Sequence, residues 1–315
     1  FMLVELSFGR KGLLVELPEK AIAQIIRKPK FPVPENPHAL VAQALANPIL
    51  SKTLSEEAMG NQTACILVCD ITRPVPNKLL LKPVIAALEA GGIPRDGITI
   101  LIATGLHRPN LGEELEEVIG DPWVTKNIRI LNHDARDNTA IIHLGKTSTH
   151  QVPVGLNHHF VKADLKLVTG LVEPHFMAGY SGGRKVIAPG IAHHETIRTF
   201  HSARFMESPH AVSCNLDKNP LHKSQLEIVQ MLGGKILAVN TILDEERNLI
   251  YVNFGEVLAS HMDAVNFARA SCEIQVGRKF KTILTSSAGY PLDKTYYQTI
   301  KGMVTPLDIL EPGGT

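Results

Sequence analysis

Short apolar runs alternate with amphipathic segments along most of the chain. The runs ACILVCDI (64–71) and GITILIATG (97–105) predict buried strands, whereas PNKLLLKPVIAALEAGG (76–92) has helical periodicity and ends at glycine. The alternation continues with a helix in LGEELEEVIG, strands in NIRILNHD and ADLKLVTGLV, a helix in HETIRTFHSARF, and further elements up to residue 275. Strand, helix and strand repeating at this pitch predict an α/β fold, in which a mainly parallel sheet is flanked by helices.

The two ends of the chain depart from this pattern. MLVELSFG and GLLVELP predict two strands around a glycine-containing turn, and Asn36 before Pro37 predicts the start of a helix. Near Gly277 the pattern restarts, with a strand in FKTILTSS and a helix in YYQTIKGM. We therefore expect an N-terminal domain over residues 1–277 and the start of a second α/β domain over 278–315. This second domain is expected to be incomplete, because so short a segment buries too little apolar surface to form a core.

Composition and charge exclude several classes of partner. Lys and Arg number 32 against 31 Asp and Glu, so the chain has no net field that would attract nucleic acid or an anionic membrane. No apolar run approaches the roughly 18 residues of a membrane span, and the N-terminus lacks signal-peptide features, so we expect a cytoplasmic protein. The four cysteines form no C-x-x-C pair, which favours scattered reduced thiols over a disulfide framework or a zinc site.

Polar loops follow three of the predicted strands. These loops are DITRP (70–74), ATGLHRPN (103–110) and GLVEPHFMAGYSGGRK (170–185). Ligands of open parallel sheets bind beyond the carboxyl ends of the strands, so the three loops are expected to gather at one edge and form the functional site.

The third loop contains a glycine-rich turn before a lysine. The sequence GYSGGRKV is not the phosphate loop of nucleoside triphosphatases, because Arg184 separates glycine from Lys185 and Val186 follows instead of Ser or Thr. The glycines nevertheless allow close approach of a ligand to the backbone. In a desolvated pocket, Lys185 can lose its proton and act as a nucleophile toward an acyl or carbonyl carbon. The alternative is a solvated surface charge.

Three of the 14 histidines fall near these loops. His107 and His175 follow predicted strands, where each can act as a general acid or base near neutral pH. His201 follows Lys185 by one predicted helix and can return toward the glycine-rich turn. Taken singly, each is also compatible with a structural role.

Two further groups carry candidate binding chemistry. Asp70, Thr72 and Arg73 end the first strand of the sheet, where they suit a phosphate or carboxylate, although Asp70 and Thr72 can also simply cap the following helix. In the last segment, three polar residues share one helical face and can bind a small carboxylate or form an ordinary exposed surface. These are Tyr297, Gln298 and Lys301.

Five blocks in this order, DITRP, ATGLHR, EPHFMAGYSGGRKVIAPGI, TFHSARF and SAGYPLDKTYYQTIKGM, resemble the nickel-pincer lactate racemase family. The resemblance implies a cofactor made from a pyridinium mononucleotide with two thiocarbonyl-type arms that hold nickel, Ni(II)-pyridinium-3,5-bisthiocarboxylate mononucleotide. It also implies that separate enzymes synthesise this cofactor. Residues 1–277 would then be the cofactor-binding catalytic domain, and 278–315 would begin a substrate-side domain.

The resemblance also implies roles for the candidate residues. One cofactor arm would be attached to Lys185 as a thioamide, and His201 would ligate nickel, for which an imidazole beside two soft sulfur atoms is a suitable donor. His107 and His175 would be the acid/base pair. Asp70, Thr72, Arg73 and Pro189 would contact the cofactor, and the substrate would be bound by Arg73, Tyr297, Gln298 and Lys301.

The implied reaction is racemisation or epimerisation of a 2-hydroxy acid, such as lactate, by an isomerase. The C2–H group is a very poor acid because it lies beside a carboxylate. Removal of hydride from C2, and its return to the other face of the resulting keto acid, is therefore favoured over proton abstraction. Two alternatives remain open. A non-catalytic relative would bind a mononucleotide or keto acid, and an NAD-dependent hydroxy acid dehydrogenase would need the G-x-G-x-x-G motif that is missing after the first strand of the sheet.

Overall fold

The structure, a computed structural model, describes residues 1–22 and 24–315. Its strands, in chain order, are β1 (Met2–Leu6), β2 (Leu13–Leu17), β3 (Ala64–Cys69), β4 (Ile98–Ala103), β5 (Arg129–Asn132), β6 (Ile141–Lys146), β7 (Pro153–Asn157), β8 (Leu165–Leu171), β9 (Pro174–His175), β10 (Gly179–Tyr180), β11 (Ile236–Leu243) and β12 (Leu249–Glu256). The α-helices are α1 (Pro37–Ala46), α2 (Leu54–Ala58), α3 (Asn77–Ala90), α4 (Glu113–Ile119), α5 (Pro122–Asn127), α6 (His158–Lys162), α7 (Arg184–Ile187), α8 (His194–Phe200), α9 (Ala203–Met206), α10 (Pro220–Leu232), α11 (Val257–Cys272) and α12 (Tyr296–Val304).

A six-stranded sheet organises the larger part of the chain. Its strand order is β12-β11-β8-β3-β4-β5, and every pairing is parallel except that of β12 with β11. The central strand β3 is paired on both sides, so that Leu67 lies opposite Leu101 of β4 and Val168 of β8. The predicted α/β fold with a mainly parallel sheet flanked by helices is therefore confirmed.

Both faces of this sheet are buried, as expected for parallel strands covered by helices. Ile66 and Val68 of β3 pack with the apolar face of α3 in one core cluster. Cys65 and Leu67, which point to the opposite face, pack in a second cluster with α6, α7, α8 and α10. The continuous apolar run of β3 follows from this double burial.

The chain divides into two compact units, and each is described by itself. One unit comprises Phe1–Pro29 together with Ser271–Thr315, and the other comprises Lys30–Ala270. In the first unit β1 pairs with β2, and the Gly9 N–H donates to the Asp293 carboxylate over 2.6 Å. The sequence-based division at residues 277 and 278 stays a prediction.

Two local predictions are wrong. FKTILTSS (280–287) forms no strand, and the one β-bridge found for this segment joins Phe280 to Leu310. The predicted helix over HETIRTFHSARF is interrupted after Phe200, so that His201 and Ser202 separate α8 from α9. Elsewhere, the Asn36 side chain accepts a hydrogen bond from the Ala39 N–H over 3.1 Å, and α1 begins at Pro37 as predicted.

Candidate functional site

Three adjacent strands bring the predicted loops together. The order β8-β3-β4 places the carboxyl ends at Leu171, Cys69 and Ala103 side by side in one parallel array. Additional hydrogen bonds join segments beyond these ends, including one from the Gly105 N–H to the Gly190 carbonyl over 2.9 Å. Strand order therefore positions residues that are far apart in sequence around one edge of the sheet.

Asp70 connects the first two loops. It is buried, with 5% of its surface exposed, and its Oδ2 lies 2.6 Å from Nδ1 of His107. Its other oxygen, Oδ1, accepts from the Thr72 hydroxyl over 2.6 Å and from the Thr72 N–H over 3.3 Å. Asp70 thus orients the imidazole of His107 through one oxygen while Thr72 orients the carboxylate through the other.

His175 lies in a short antiparallel hairpin formed by β9 and β10. Its ring is buried, and Nδ1 accepts hydrogen bonds from the backbone N–H groups of Met177 and Ala178, over 3.3 and 3.1 Å. These two donors fix the direction of the ring.

An ion pair joins the loops after β3 and β8. The Arg73 guanidinium donates to the Glu173 carboxylate, and the side chains retain 13% and 22% of their exposure. Sequence reasoning did not identify Glu173. Its position, two residues before His175 at the end of a strand, was the available signal.

Lys185 stands in the first turn of α7, after two glycines with positive φ. A Cβ atom on Gly182 would lie 2.7 Å from Val172 Cγ2, and one on Gly183 would lie 2.8 Å from the His261 ring, so the turn requires glycine at both positions. The pKa of the half-buried Lys185 amine is lowered to about 7, mainly by loss of hydration and secondly by repulsion from the Arg73 guanidinium. A large fraction of this amine is therefore neutral, and nucleophilic, at neutral pH.

The neighbouring Arg184 points into the protein and is fully buried. It donates to the carbonyl oxygens of Ala178 and Tyr180, over 3.0 and 3.2 Å, and to Nδ1 of His222 over 2.9 Å. Burial lowers the pKa of Arg184 to about 9. Arg184 therefore ties α7 to the His175 hairpin. Sequence reasoning missed this residue because Arg is rarely buried, and nothing in its spacing indicates burial.

Two other candidates lie farther along the same segment. Pro189 is half-buried, and its carbonyl oxygen accepts from the Ala192 N–H over 3.1 Å. His201 is exposed at the C-terminal end of α8, and its Nδ1 lies 2.8 Å from the Ile197 carbonyl oxygen. Since a carbonyl oxygen only accepts, His201 carries its proton on Nδ1 and has its lone pair on Nε2. This tautomer is suitable for a metal ligand.

The remaining three candidates lie on α12, in the compact unit that contains the chain ends. The Lys301 ammonium donates to Oε1 of Gln298 and lies 5.3 Å from the ring centroid of Tyr297. Gln298 is buried, and its N–H donates to the Thr295 hydroxyl over 3.3 Å at the start of the helix. Lys301 therefore lies close to both of the other predicted substrate-binding side chains of α12.

Neither a protein-only metal centre nor a membrane span was found in the part of the chain that the structure describes. Within residues 1–22 and 24–315, no three His, Cys, Asp or Glu side chains are grouped so that they could hold a metal ion. None of the described helices is both long and apolar enough to cross a bilayer. Burial raises the pKa of the Cys69 thiol beside this site to about 11, so that thiol remains protonated.

The sequence is similar to characterised relatives over nearly its whole length. It is 30% identical over 313 residues to lactate racemase of Thermoanaerobacterium thermosaccharolyticum, covering 99% of this chain and 72% of that protein. It is 34% identical over 286 residues to lactate racemase of Lactiplantibacillus plantarum, covering 87% of this chain and 64% of that protein. The chain is therefore shorter than both relatives.

Solved structures also show similarity to a lactate racemase. The structure of the lactate racemase apoprotein from T. thermosaccharolyticum matches with a TM-score of 0.89 at 29% identity, covering 99% of this chain and 73% of that one. A second match is to a Thermotoga maritima protein, at 22% identity and with a TM-score of 0.63. This match covers 73% of this chain and 60% of the other, and it shows a shared fold alone. The family model for the lactate racemase N-terminal domain matches residues 8–213. With the extended similarity to both relatives, this match shows that the chain belongs to the lactate racemase family.

Proposed function

We propose that this protein is a racemase of a short 2-hydroxy acid, with lactate as the first candidate substrate. The observation that carries the proposal is the pair of histidines His107 and His175, each oriented through Nδ1 at the edge of the sheet that also holds Lys185. Two relatives that match most of this chain are named lactate racemases, which supports the same activity.

The residues present fit a nickel-pincer nucleotide. The Lys185 amine, with its pKa lowered to about 7, suits covalent attachment to a thiocarboxylate arm of that group. His201 would supply one nitrogen donor, and the arrangement needs no cluster of three protein ligands because the other donors belong to the cofactor. Asp70, Thr72, Arg73 and Pro189 would contact it. When bound, such a group would supply a reversible hydride acceptor for the substrate carbon.

The protein contributes proton transfer and orientation. Nε2 of His107 would take the substrate hydroxyl proton, and the buried Asp70 carboxylate would stabilise the imidazolium that results. His175 would exchange the hydroxyl proton of the other enantiomer. Without such groups, an alkoxide would have to form unaided.

Within the larger unit, carboxylate binding would fall to Arg73. The family resemblance also gives Tyr297, Gln298 and Lys301 of α12 a substrate-binding role. Arg73 already has one carboxylate partner in Glu173, which keeps its guanidinium oriented while other N–H groups remain available for a substrate. Holding the carboxylate would allow the 2-keto acid to rotate and present its other face without leaving the site. We also propose that the protein is cytoplasmic and that separate enzymes synthesise its cofactor.

The test uses protein co-expressed with the cofactor-synthesising enzymes of the family. We expect an intact-mass adduct, about one nickel per chain and racemisation of lactate without added nicotinamide. The Lys185→Ala variant is expected to lose all three, whereas Lys78→Ala, an exposed lysine outside the site, keeps them. An unmodified, inactive chain under conditions that load a known relative would instead favour a non-catalytic binding protein.

A further inference from the structure

We propose that Lys185 forms a reversible imine with a 2-keto acid whose carboxylate is bound by Arg73, in the chain that carries no cofactor. This chain is called the unloaded chain below. The imine is a second activity of the site, separate from racemisation, and it needs neither nickel nor a nucleotide. Only the choice of a 2-keto acid rests on the proposed function, in which such an acid is the oxidised form of the substrate.

The Lys185 amine is in a state that can attack a carbonyl carbon. No hydrogen bond or ion pair to its Nζ atom is found within the part of the chain that the structure describes. The side chain keeps part of its exposure to solvent, whereas the adjacent Arg184 is fully buried. Because the pKa of Lys185 is about 7, much of the amine has its lone pair available at neutral pH.

The glycine turn places this amine at the edge of the sheet. The turn packs closely on the end of β8, since a Cβ atom on Gly170 would lie only 3.2 Å from the Gly182 Cα atom. Arg73, in the loop after the adjacent strand β3, repels the Lys185 charge, and Glu173, in the loop after β8, attracts it. The lysine therefore has the Arg73–Glu173 pair as its neighbour.

Arg73 gives the site a preference for an acid. One of its N–H groups donates to Glu173, and the rest of the planar guanidinium has further donors for a second carboxylate. In a 2-keto acid the carbonyl carbon is bonded directly to the carboxylate, so binding to Arg73 would hold that carbon near the Lys185 amine. A 2-hydroxy acid has the same carboxylate but no carbonyl carbon, and it forms no imine.

The reaction needs no oxidant or reductant. The amine lone pair forms a C–N bond to the keto carbon, and the carbonyl oxygen then leaves as water with the two amine hydrogens. Hydrolysis reverses the reaction and restores the amine, so covalent attachment of a cofactor remains possible afterwards. The Cys69 thiol does not compete as a nucleophile, because burial raises its pKa to about 11 and keeps it protonated.

The first experiment traps the imine by reduction. Unloaded protein is incubated with pyruvate and cyanoborohydride at about pH 7.5, and modified lysines are located by peptide mass spectrometry. We expect Lys185 to gain the mass of pyruvic acid less one oxygen atom, at least about tenfold faster than any other lysine. Lys166 is the internal control, because burial also lowers its pKa but its amine donates to the Ala163 carbonyl over 2.7 Å. Equal labelling of Lys166 and Lys185 would overturn the proposal.

The second experiment separates carboxylate binding from the lysine pKa. Acetone reacts with the same amine but has no carboxylate, so the ratio of pyruvate to acetone trapping at Lys185 does not depend on the neutral fraction of the amine. We expect this ratio to fall about tenfold or more in Arg73→Met, through loss of a charge-assisted hydrogen bond. Arg95→Met, which removes an exposed arginine paired with Glu89, should leave the ratio unchanged.

An unchanged ratio in Arg73→Met would refute the carboxylate role of Arg73. If that variant does not fold, Arg73→Lys replaces it, since lysine keeps the charge but not the planar set of donors, and a smaller fall in the same direction is expected.

Trapping and racemisation can fail independently of each other. Without reductant, pyruvate should slow the acylation of Lys185 in the unloaded chain, and dialysis should restore the original rate. An acylation rate that pyruvate does not change would refute the imine, whatever the activity of the loaded enzyme. Absence of racemisation by protein that carries the cofactor would refute the proposed function and leave the trapping result standing.

Discussion

The guanidinium of Arg73 donates to the carboxylate of Glu173, which lies in the loop of a neighbouring strand. Because both side chains are largely shielded from water, the pair is expected to contribute more to stability than an ion pair on the surface. The pair also places a negative charge near Lys185, which opposes the effect of Arg73 on the lysine pKa.

Glu173→Gln is therefore expected to lower the free energy of unfolding by about 1–2 kcal/mol, because Arg73 loses a charged partner in a shielded position. Urea denaturation of the unloaded chain measures this. The control is Glu89→Gln, which breaks the more exposed pair with Arg95 and should cost less stability than Glu173→Gln. Equal losses in the two variants would show that the shielding of Arg73 has no energetic effect.

Lys185 is expected to react with an acylating reagent at a pH where other lysines are largely protected. Acylation needs the neutral amine, and the neutral fraction of Lys185 rises as the pH passes through about 7. Peptide mapping by mass spectrometry between about pH 6 and 10 measures the profile. Arg73→Met removes one cause of the lowered pKa and should move the profile toward higher pH. A Lys185 profile that matches ordinary surface lysines would contradict the desolvated amine.

Acid is expected to destabilise the cluster around Arg184. Burial and then the Arg184 charge lower the pKa of His222 to about 4 and that of His261 well below its ordinary value. As the pH falls below about 6.5, His222 becomes protonated in the unfolded chain but stays neutral in the folded chain. The free energy of unfolding therefore declines until the pH reaches about 4, where His222 is also protonated in the folded chain.

The expected loss from His222 is on the order of 2–3 kcal/mol over that interval. His222→Gln should flatten the decline, because glutamine does not titrate and can still accept from Arg184. His38→Gln, at an exposed position in α1, should leave the decline unchanged. Urea denaturation at a series of pH values compares the three proteins, and parallel curves would refute the assignment to His222.

Gly182→Ala is expected to destabilise the chain by about 2–4 kcal/mol, since the new methyl group meets Val172 in addition to the strain of a φ of +77°. Gly92→Ala has the strain, at a φ of +99°, but no atom within 4 Å of its Cβ, and should cost about 1 kcal/mol. Thermal and urea denaturation give both values. Equal losses of stability in the two variants would show that steric contact with Val172 does not contribute to the cost of Gly182→Ala.

Much of the fold follows from local sequence patterns. β3 is apolar throughout because both faces are covered, and α3 between β3 and β4 has clear helical periodicity, so the parallel sheet and the edge carrying the loops could be predicted. The segment FKTILTSS shows the limit, because a strand needs a partner and the pattern of one segment does not reveal whether a partner exists.

The sequence predicted many of the residues of the site but not the contacts between them. Loop position indicated His107, His175 and Lys185, but the hydrogen bond of Asp70 to His107 depends on side-chain directions that spacing does not determine. The burial of Arg184 and the pairing of Glu173 arise from packing between distant segments. None of these contacts could be predicted from the spacing of the residues along the chain.

The lowered pKa of Lys185 also bears on the order of events during synthesis of the protein. It arises from lost hydration and from Arg73, two conditions that exist only after β3, β8 and α7 have come together. A newly made, unfolded chain would present an ordinary ammonium group, which does not attack an acyl carbon. Covalent attachment at this lysine would therefore follow folding, so that only correctly folded molecules would be modified.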